Sequence, residues 1–258
     1  MSTLRLTPGP RGGRWPLILV GLGVILLALA ALLMGGAGPA YRWEWVSLST
    51  SFSVLRQGAH LAVAAGGVGL LALIVAVFCR RWRPALAGAL VMVAGVAMVA
   101  QPWQLMQRAQ VVPPIHDITT DTQNPPAFEA LAAAREAAPN AVAYPGEATA
   151  RQQRAGYPRL GPITLEMPLD RAMAAAEATA REMGWEIAAV TERRLEATAT
   201  TRWFGFKDDV AIRLTETGNG VRVDVRSASR VGRSDLGTNA ARIQAYLEAL
   251  AARGEGAR

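Results

Sequence analysis

Three long uncharged apolar runs fill the first hundred residues and constrain the fold more than any other feature. Leu17–Met34 and Leu61–Phe78 contain no charged side chain, and a third run extends from Ala85 through Ala100 to Trp103. Each is about 16–20 residues, long enough to cross a hydrocarbon layer of ~30 Å as a helix. Lipid offers backbone amides no outside partner, so a helix is the only form such a run takes there. Residues 1–103 therefore read as a three-helix membrane anchor with spans near 17–34, 61–78 and 85–103. The length of the first run and its "GAGPA" context favour a retained span over a cleaved leader.

Charge sets the expected topology. The chain carries +7 overall, which on its own suggests nucleic acid. Eight of its 27 basic residues and one of its 20 acidic residues precede residue 104, so the whole excess lies in the anchor. The remainder holds 19 of each sign and is neutral, which sets nucleic-acid binding aside. Arg5, Arg11 and Arg14 precede the first run, and Arg80, Arg81 and Arg83 lie in the "CRRWRP" connection. The 35–60 loop has only Arg42 and Arg56, partly offset by Glu44, so by the positive-inside rule the N-terminus and "CRRWRP" face the cytoplasm. Residues 104–258 then lie across the bilayer, the periplasm if the membrane is a bacterial inner membrane. Tyr41, Trp43 and Trp45 sit where an interfacial aromatic belt is expected. Ala62–Gly66 and Ala65–Gly69 have small-residue spacing that permits close helix contact. The spans lack the acids and bases that ion pathways use. The single cysteine, Cys79, excludes an internal disulfide and any cysteine-based metal or haem motif.

Composition changes after Trp103. Residues 104–162 read as a proline-rich arm and covering segment, with Pro113, Pro114, Pro125 and Pro126 favouring extended backbone. A short helix is expected from Asn124–Pro125 toward Pro139, and a turn or two of helix in "GEATARQQRAG". Residues 163–258 are regular. "ITLEM" predicts a strand, and Leu169, Met173, Ala176, Ala180 and Met183 mark a helical face that Gly184 ends. "WEIAAV", "LEATATTRW", "VAIRL" and "VRVDVRS" predict four further strand segments by composition or strict alternation, the last three forming a meander. Leu236, Ala240, Ile243, Leu247 and Leu250 give a final helix starting near Ser234 or Asp235. Residues 163–252 are read in the order β-α-β-β-β-α. The fold class is thus a membrane-anchored α+β protein, three transmembrane helices followed by an antiparallel sheet with its helices on one face. The opposite face, carrying Arg202, Arg213, Arg222 and Arg226 beside Glu196 and Asp224, is expected to be solvated and ion-paired.

Four blocks, "IHDITTDTQNPPAF", "YPGEATARQQRAGYP", "ATATTRWFGFKDDVAIRL" and "VDVRSASRVGRSDLGTNAARI", occur in this order over roughly residues 110–250. In them the chain resembles the bacterial domain of unknown function 1499. The resemblance implies the same domain extent and preceding membrane spans, and it supplies no catalytic residues.

Two places are candidate sites. The meander brings the 203–209 loop and the 227–235 exit to one end, where the last helix begins. Trp203, Phe204, Phe206, Lys207, Asp208, Asp209, Arg230, Arg233, Ser234 and Asp235 are expected to gather there. A helix start beside two guanidinium forks suits an anionic group or a protein partner. The same residues also suit an internal lock in which the aspartates pair with the arginines. In the arm, His116, Asp117 and Asp121 are too few and too widely spaced for a zinc site, and no motif asks for a metal or cofactor. A triad would require His116 to meet Ser227, Ser229 or Ser234. Capping and stiffening are the ordinary roles of such Asp, Thr and Pro residues. The leading functional reading is a non-enzymatic extracytoplasmic accessory, scaffold or assembly module contacting the bilayer and an envelope or membrane-complex protein. The alternative is a binder of a small anion or lipid headgroup, or a hydrolase, using the 203–235 end.

Overall fold

The computed structural model describes residues 12–256. The chain divides into two compact units, with the boundary after Met106.

The first unit holds α1 (Trp15–Arg42), α2 (Leu48–Phe78) and most of α3 (Trp82–Val111), three helices long and apolar enough to span a membrane. They outrun the apolar stretches that predict them because helical hydrogen bonding continues past the last apolar residue. Ser47 caps α2 by accepting from the Thr50 N–H. The small residues of α2 form one buried stripe, Ala62, Ala65, Gly66, Gly69, Ala72 and Ala76. That stripe meets the glycines of α3. A Cβ at Gly88 would lie 2.7 Å from the Leu73 nitrogen, and one at Gly95 would lie 2.7 Å from the Ala62 oxygen. Backbone-to-backbone approach of this kind is available only without side chains.

The second unit is an antiparallel sheet with two layers on it. Its elements are β1 (Asp117–Thr119), α4 (Ala132–Glu136), α5 (Glu147–Gly156), β2 (Ile163–Leu165), α6 (Leu169–Glu182), β3 (Glu186–Val190), β4 (Arg194–Thr200), β5 (Lys207–Thr217), β6 (Gly220–Ser229) and α7 (Thr238–Gly256). The strand order is β1-β6-β5-β4-β3, and β2 also pairs with β6. Thus β1 and β2 share one edge of β6, β1 opposite Arg226–Ala228 and β2 opposite Val221–Val223.

Alternation sorts the side chains of the long strands. Leu195, Ala197, Ala199, Val210, Ile212, Leu214, Val221, Val223 and Val225 face α6 and α7 and build the main core with Met173, Ala176, Ile243 and Leu250. Gly184 adopts φ +75°, as a helix-ending residue should. The core also takes in Tyr246, which is fully buried, stacks on Trp185 at 5.0 Å and donates its hydroxyl to the Ala176 carbonyl. The final helix starts later than its apolar stripe suggests. Leu236 lies outside it at φ +54°, and Asp235 caps it by accepting from the N–H groups of Gly237 and Asn239.

The other face of the sheet is ion-paired and covered over much of its area, with Arg213 and Arg222 still partly exposed and Arg202 exposed beyond the end of β4. Glu196, Asp224 and Arg226 are each at most 4% exposed. The covering layer is the segment from β1 to residue 145, whose Phe128 and Leu131 pack on Ala211 and Ala228. The expected solvated face is corrected for a simple reason: the proline-rich segment supplies carboxylates, a guanidinium and carbonyls that satisfy the sheet's charges in place of water. The helix expected across this segment shrinks to the five residues of α4, because the chain there follows the sheet surface.

Candidate functional site

The charged residues of this covered face form three neighbouring ion-paired clusters, described from β1 outward. Asp117 belongs to β1 and lies beside β6, so its carboxylate reaches Arg226 on the same face. The pair is bidentate: Arg226 Nε donates to Asp117 Oδ1 at 3.0 Å and Nη2 to Oδ2 at 2.7 Å. The remaining Arg226 donors go to the Pro126 and Val142 carbonyls. Both side chains are almost wholly buried. The Phe128 ring lies between two guanidiniums, those of Arg226 and Arg135, each 4.6 Å from its centre. Tyr144 lies against Arg226 on another side, and burial, then the Asp117 charge, pushes its hydroxyl up to about 12.

Asp209 forms a second node. It accepts from Arg135 at 3.0 Å, from Arg230 Nε and Nη2 at 2.9 and 2.8 Å, and from the Thr198 hydroxyl at 2.9 Å. Burial lowers the Arg135 pKa, with Asp209 opposing that shift. Arg230 is raised, chiefly by its hydrogen bonds to Asp209. Asp224 forms a third node with Arg213 and Arg222, and Asp121 joins it through Arg213. Burial disfavours the Asp121 carboxylate, but the Asn124 and Gln123 N–H groups and the two arginines outweigh it and lower its pKa. Glu196 serves the backbone: it accepts from the N–H groups of Glu129, Ala130 and Leu131, the entry to α4. A carboxylate on the sheet here does the work of a helix cap.

The 203–235 end is split by the sheet itself. Asp208 and Asp209 are adjacent on β5 and so point to opposite faces. Asp209 joins the covered face. Asp208 turns to α7 and accepts from Arg242 at 2.6 Å, and Arg242 also donates to the Ser227 hydroxyl. Arg230 is held by Asp209, while Asp235 caps α7, where burial raises its pKa. Ser234 accepts from the Leu236 N–H. Lys207 pairs with Thr200 at the start of β5. Phe204 and Phe206 stack at 5.0 Å, with Trp203 6.0 Å from Phe204 and 39% exposed.

The arm residues divide similarly. The Ser227 and Ser229 hydroxyls are engaged with Asn239, whose amide also donates to the His116 carbonyl. His116 Nδ1 is buried without a hydrogen-bond partner, and its residue lines a cleft with Asn140, Thr149, Gln152 and Arg233. Asp117 and Asp121 are bound to arginines, and among the described residues no three His, Cys, Asp or Glu side chains gather as metal ligands. Arg135, Asn140, Gln153, Asn239 and Arg242 had no sequence signal, since each acts on residues far away in the chain. Gln153 shows the pattern: its side-chain amide accepts from the Thr119 N–H and donates to the Thr119 carbonyl, imitating a further strand beside β1.

No curated protein matches the chain. The family model described as "Protein of unknown function (DUF1499)" matches residues 117–250, from the first residue of β1 into α7. That span takes in the sheet, the layer over its charged face and both core helices, so the chain belongs to the DUF1499 family.

Proposed function

We propose that this chain is a membrane-anchored extracytoplasmic accessory or assembly module that works by contact with an envelope or membrane-complex protein. In this reading the N-terminus is cytoplasmic and residues 104–258 are periplasmic, in a bacterial inner membrane. The observation that carries it is the use made of the charged side chains. Asp117 pairs with Arg226, Asp209 with Arg135 and Arg230, and Asp224 with Arg213, and the pairs made by Asp117 and Arg135 hold the covering segment on the sheet. They stabilise a rigid domain. The apolar helices and the arginine asymmetry support its attachment and orientation. The β4–β5 turn, with Trp203, Phe204 and Phe206 between Arg202 and Lys207, has the aromatic and basic composition favoured at contact surfaces.

A photo-crosslinking amino acid at position 203, in native membranes, tests this reading. It predicts one reproducible adduct in near-stoichiometric yield, absent when the same group replaces exposed Glu192. Recovery of the chain without adduct, or the same product from both positions, would overturn it.

A further inference from the structure

Arg233 stands apart from the arginines around it. Arg135, Arg213, Arg222, Arg226, Arg230 and Arg242 each hold a carboxylate. Arg233 is exposed and, among the described residues, forms neither an ion pair nor a hydrogen bond. It lines a cleft of ≈ 230 Å³ together with His116, Asn140, Thr149 and Gln152. These residues come from the arm, the 140s turn, α5 and the turn after β6.

The cleft is held by structure rather than formed by chance side-chain positions. Asn140 Nδ2 donates to the carbonyls of Ser229 and Gly232, both at 2.9 Å, and the Asn140 N–H donates to the Arg230 carbonyl. These bonds clamp the turn that carries Arg233. On the opposite wall, the Ser229 N–H and the Asn239 side chain both donate to the His116 carbonyl, so the His116 backbone is fixed too. The His116 Nδ1 is left buried and unbonded, a state that costs free energy unless a ligand or water answers it. Two acids on the elements that line the cleft or follow it are committed elsewhere: Glu147 of α5 pairs with Arg154, and Asp235 caps α7.

We propose that this cleft binds a phosphate group. An unspent guanidinium fork, an imidazole, the Thr149 hydroxyl and the second N–H of the Gln152 amide, whose first donates to the Ala148 carbonyl, offer more donors than the two oxygens of a carboxylate can use. A phosphate has oxygens enough to accept from all of them, and the volume admits it with a small substituent. Free phosphate monoesters and phospholipid headgroups share this chemistry.

The test is calorimetric titration of the full chain, in nonionic detergent at low salt, with inorganic phosphate. Saturable binding is expected. Arg233→Ala should weaken it by about tenfold or more, the loss of a charge-assisted hydrogen-bonding partner. His116→Gln should weaken it less, and Arg193→Ala, whose side chain pairs with Glu216, should leave it unchanged. Near-ultraviolet circular dichroism checks that each variant is folded; if Arg233→Ala is not, Arg233→Gln carries the same comparison. Displacement of inorganic phosphate by phosphatidic acid in phosphatidylcholine vesicles would support a lipid headgroup as the source. Displacement by glycerol phosphate and not by those vesicles would support a soluble monoester. Absence of saturable heat, or equal affinity in the folded Arg233 variant, overturns the proposal.

Discussion

Replacing Asp117 with Asn tests whether buried ion pairs hold the covering segment on the sheet. The carboxylate is 1% exposed and bidentate to Arg226, itself 2% exposed. The substitution keeps the shape and one acceptor oxygen but leaves the buried guanidinium with neutral acceptors alone, that oxygen and the Pro126 and Val142 carbonyls. Removing one partner of such a pair costs about 3–5 kcal/mol. The retained acceptor places this case at the lower end, about 3 kcal/mol, a large part of an ordinary domain's stability. At about 3 °C per kcal/mol for a domain of this size, the melting temperature should fall by roughly 10 °C. Pulse proteolysis of the detergent-solubilised full chain across a urea series measures the change. Arg226→Met should cost a similar amount, since it strands Asp117 and removes one guanidinium from Phe128. The double variant should then lose about 2 kcal/mol less than the two single losses added together. A loss under about 1 kcal/mol for Asp117→Asn, with additive singles, would refute the reasoning.

Glu196→Gln should cost about 1–2 kcal/mol, because three N–H groups lose a charged acceptor, and amide exchange at residues 129–131 should quicken about tenfold. Gly220→Ala should destabilise by about 2 kcal/mol or more: φ is +125° and the new Cβ would sit 2.2 Å from the Leu165 oxygen, prying β2 from β6. Gly218→Ala, where a Cβ meets open space, should stay within about 0.5 kcal/mol. In alkali the sign follows from Tyr144, whose hydroxyl is raised to about 12, with Tyr157 also raised, mainly by burial. Between the ordinary value near 10 and the raised one, the unfolded chain releases the proton and the folded chain keeps it. Stability should therefore be intact below pH ~10 and decline as pH rises toward 12. A phenolate absorbance titration checks this, and Tyr144→Phe should remove a late step.

Much of the architecture was legible because it repeats. Period-two alternation in 195–199, 210–214 and 221–226 names the inward side chains, though the alternating pattern runs on to Trp203 while β4 stops at Thr200 and leaves Trp203 on the turn; the spacing of Ala240, Ile243, Leu247 and Leu250 names the face of α7. The glycine and alanine spacing of α2 announces a close helix contact without naming the partner, which is α3. What escaped is what does not repeat. β1 is three residues long, is buried on both faces and begins with an aspartate, a residue strands disfavour. It is a strand because Arg226, 109 residues away, supplies the counter-charge. The acidic pair Asp208–Asp209 reads as one patch in sequence, yet the pleat of β5 sends its members to different faces. Outward-pointing charges on a sheet announce polarity, not whether water or another segment answers it, and here a segment does.

Orientation decides the functional account most directly, and a pair of reporters fused after Arg258 measures it. On the proposed orientation, with the N-terminus cytoplasmic and three crossings, an alkaline phosphatase fusion should be active and a green fluorescent protein fusion dark. A bright fluorescent fusion with an inactive phosphatase would contradict the account at its root.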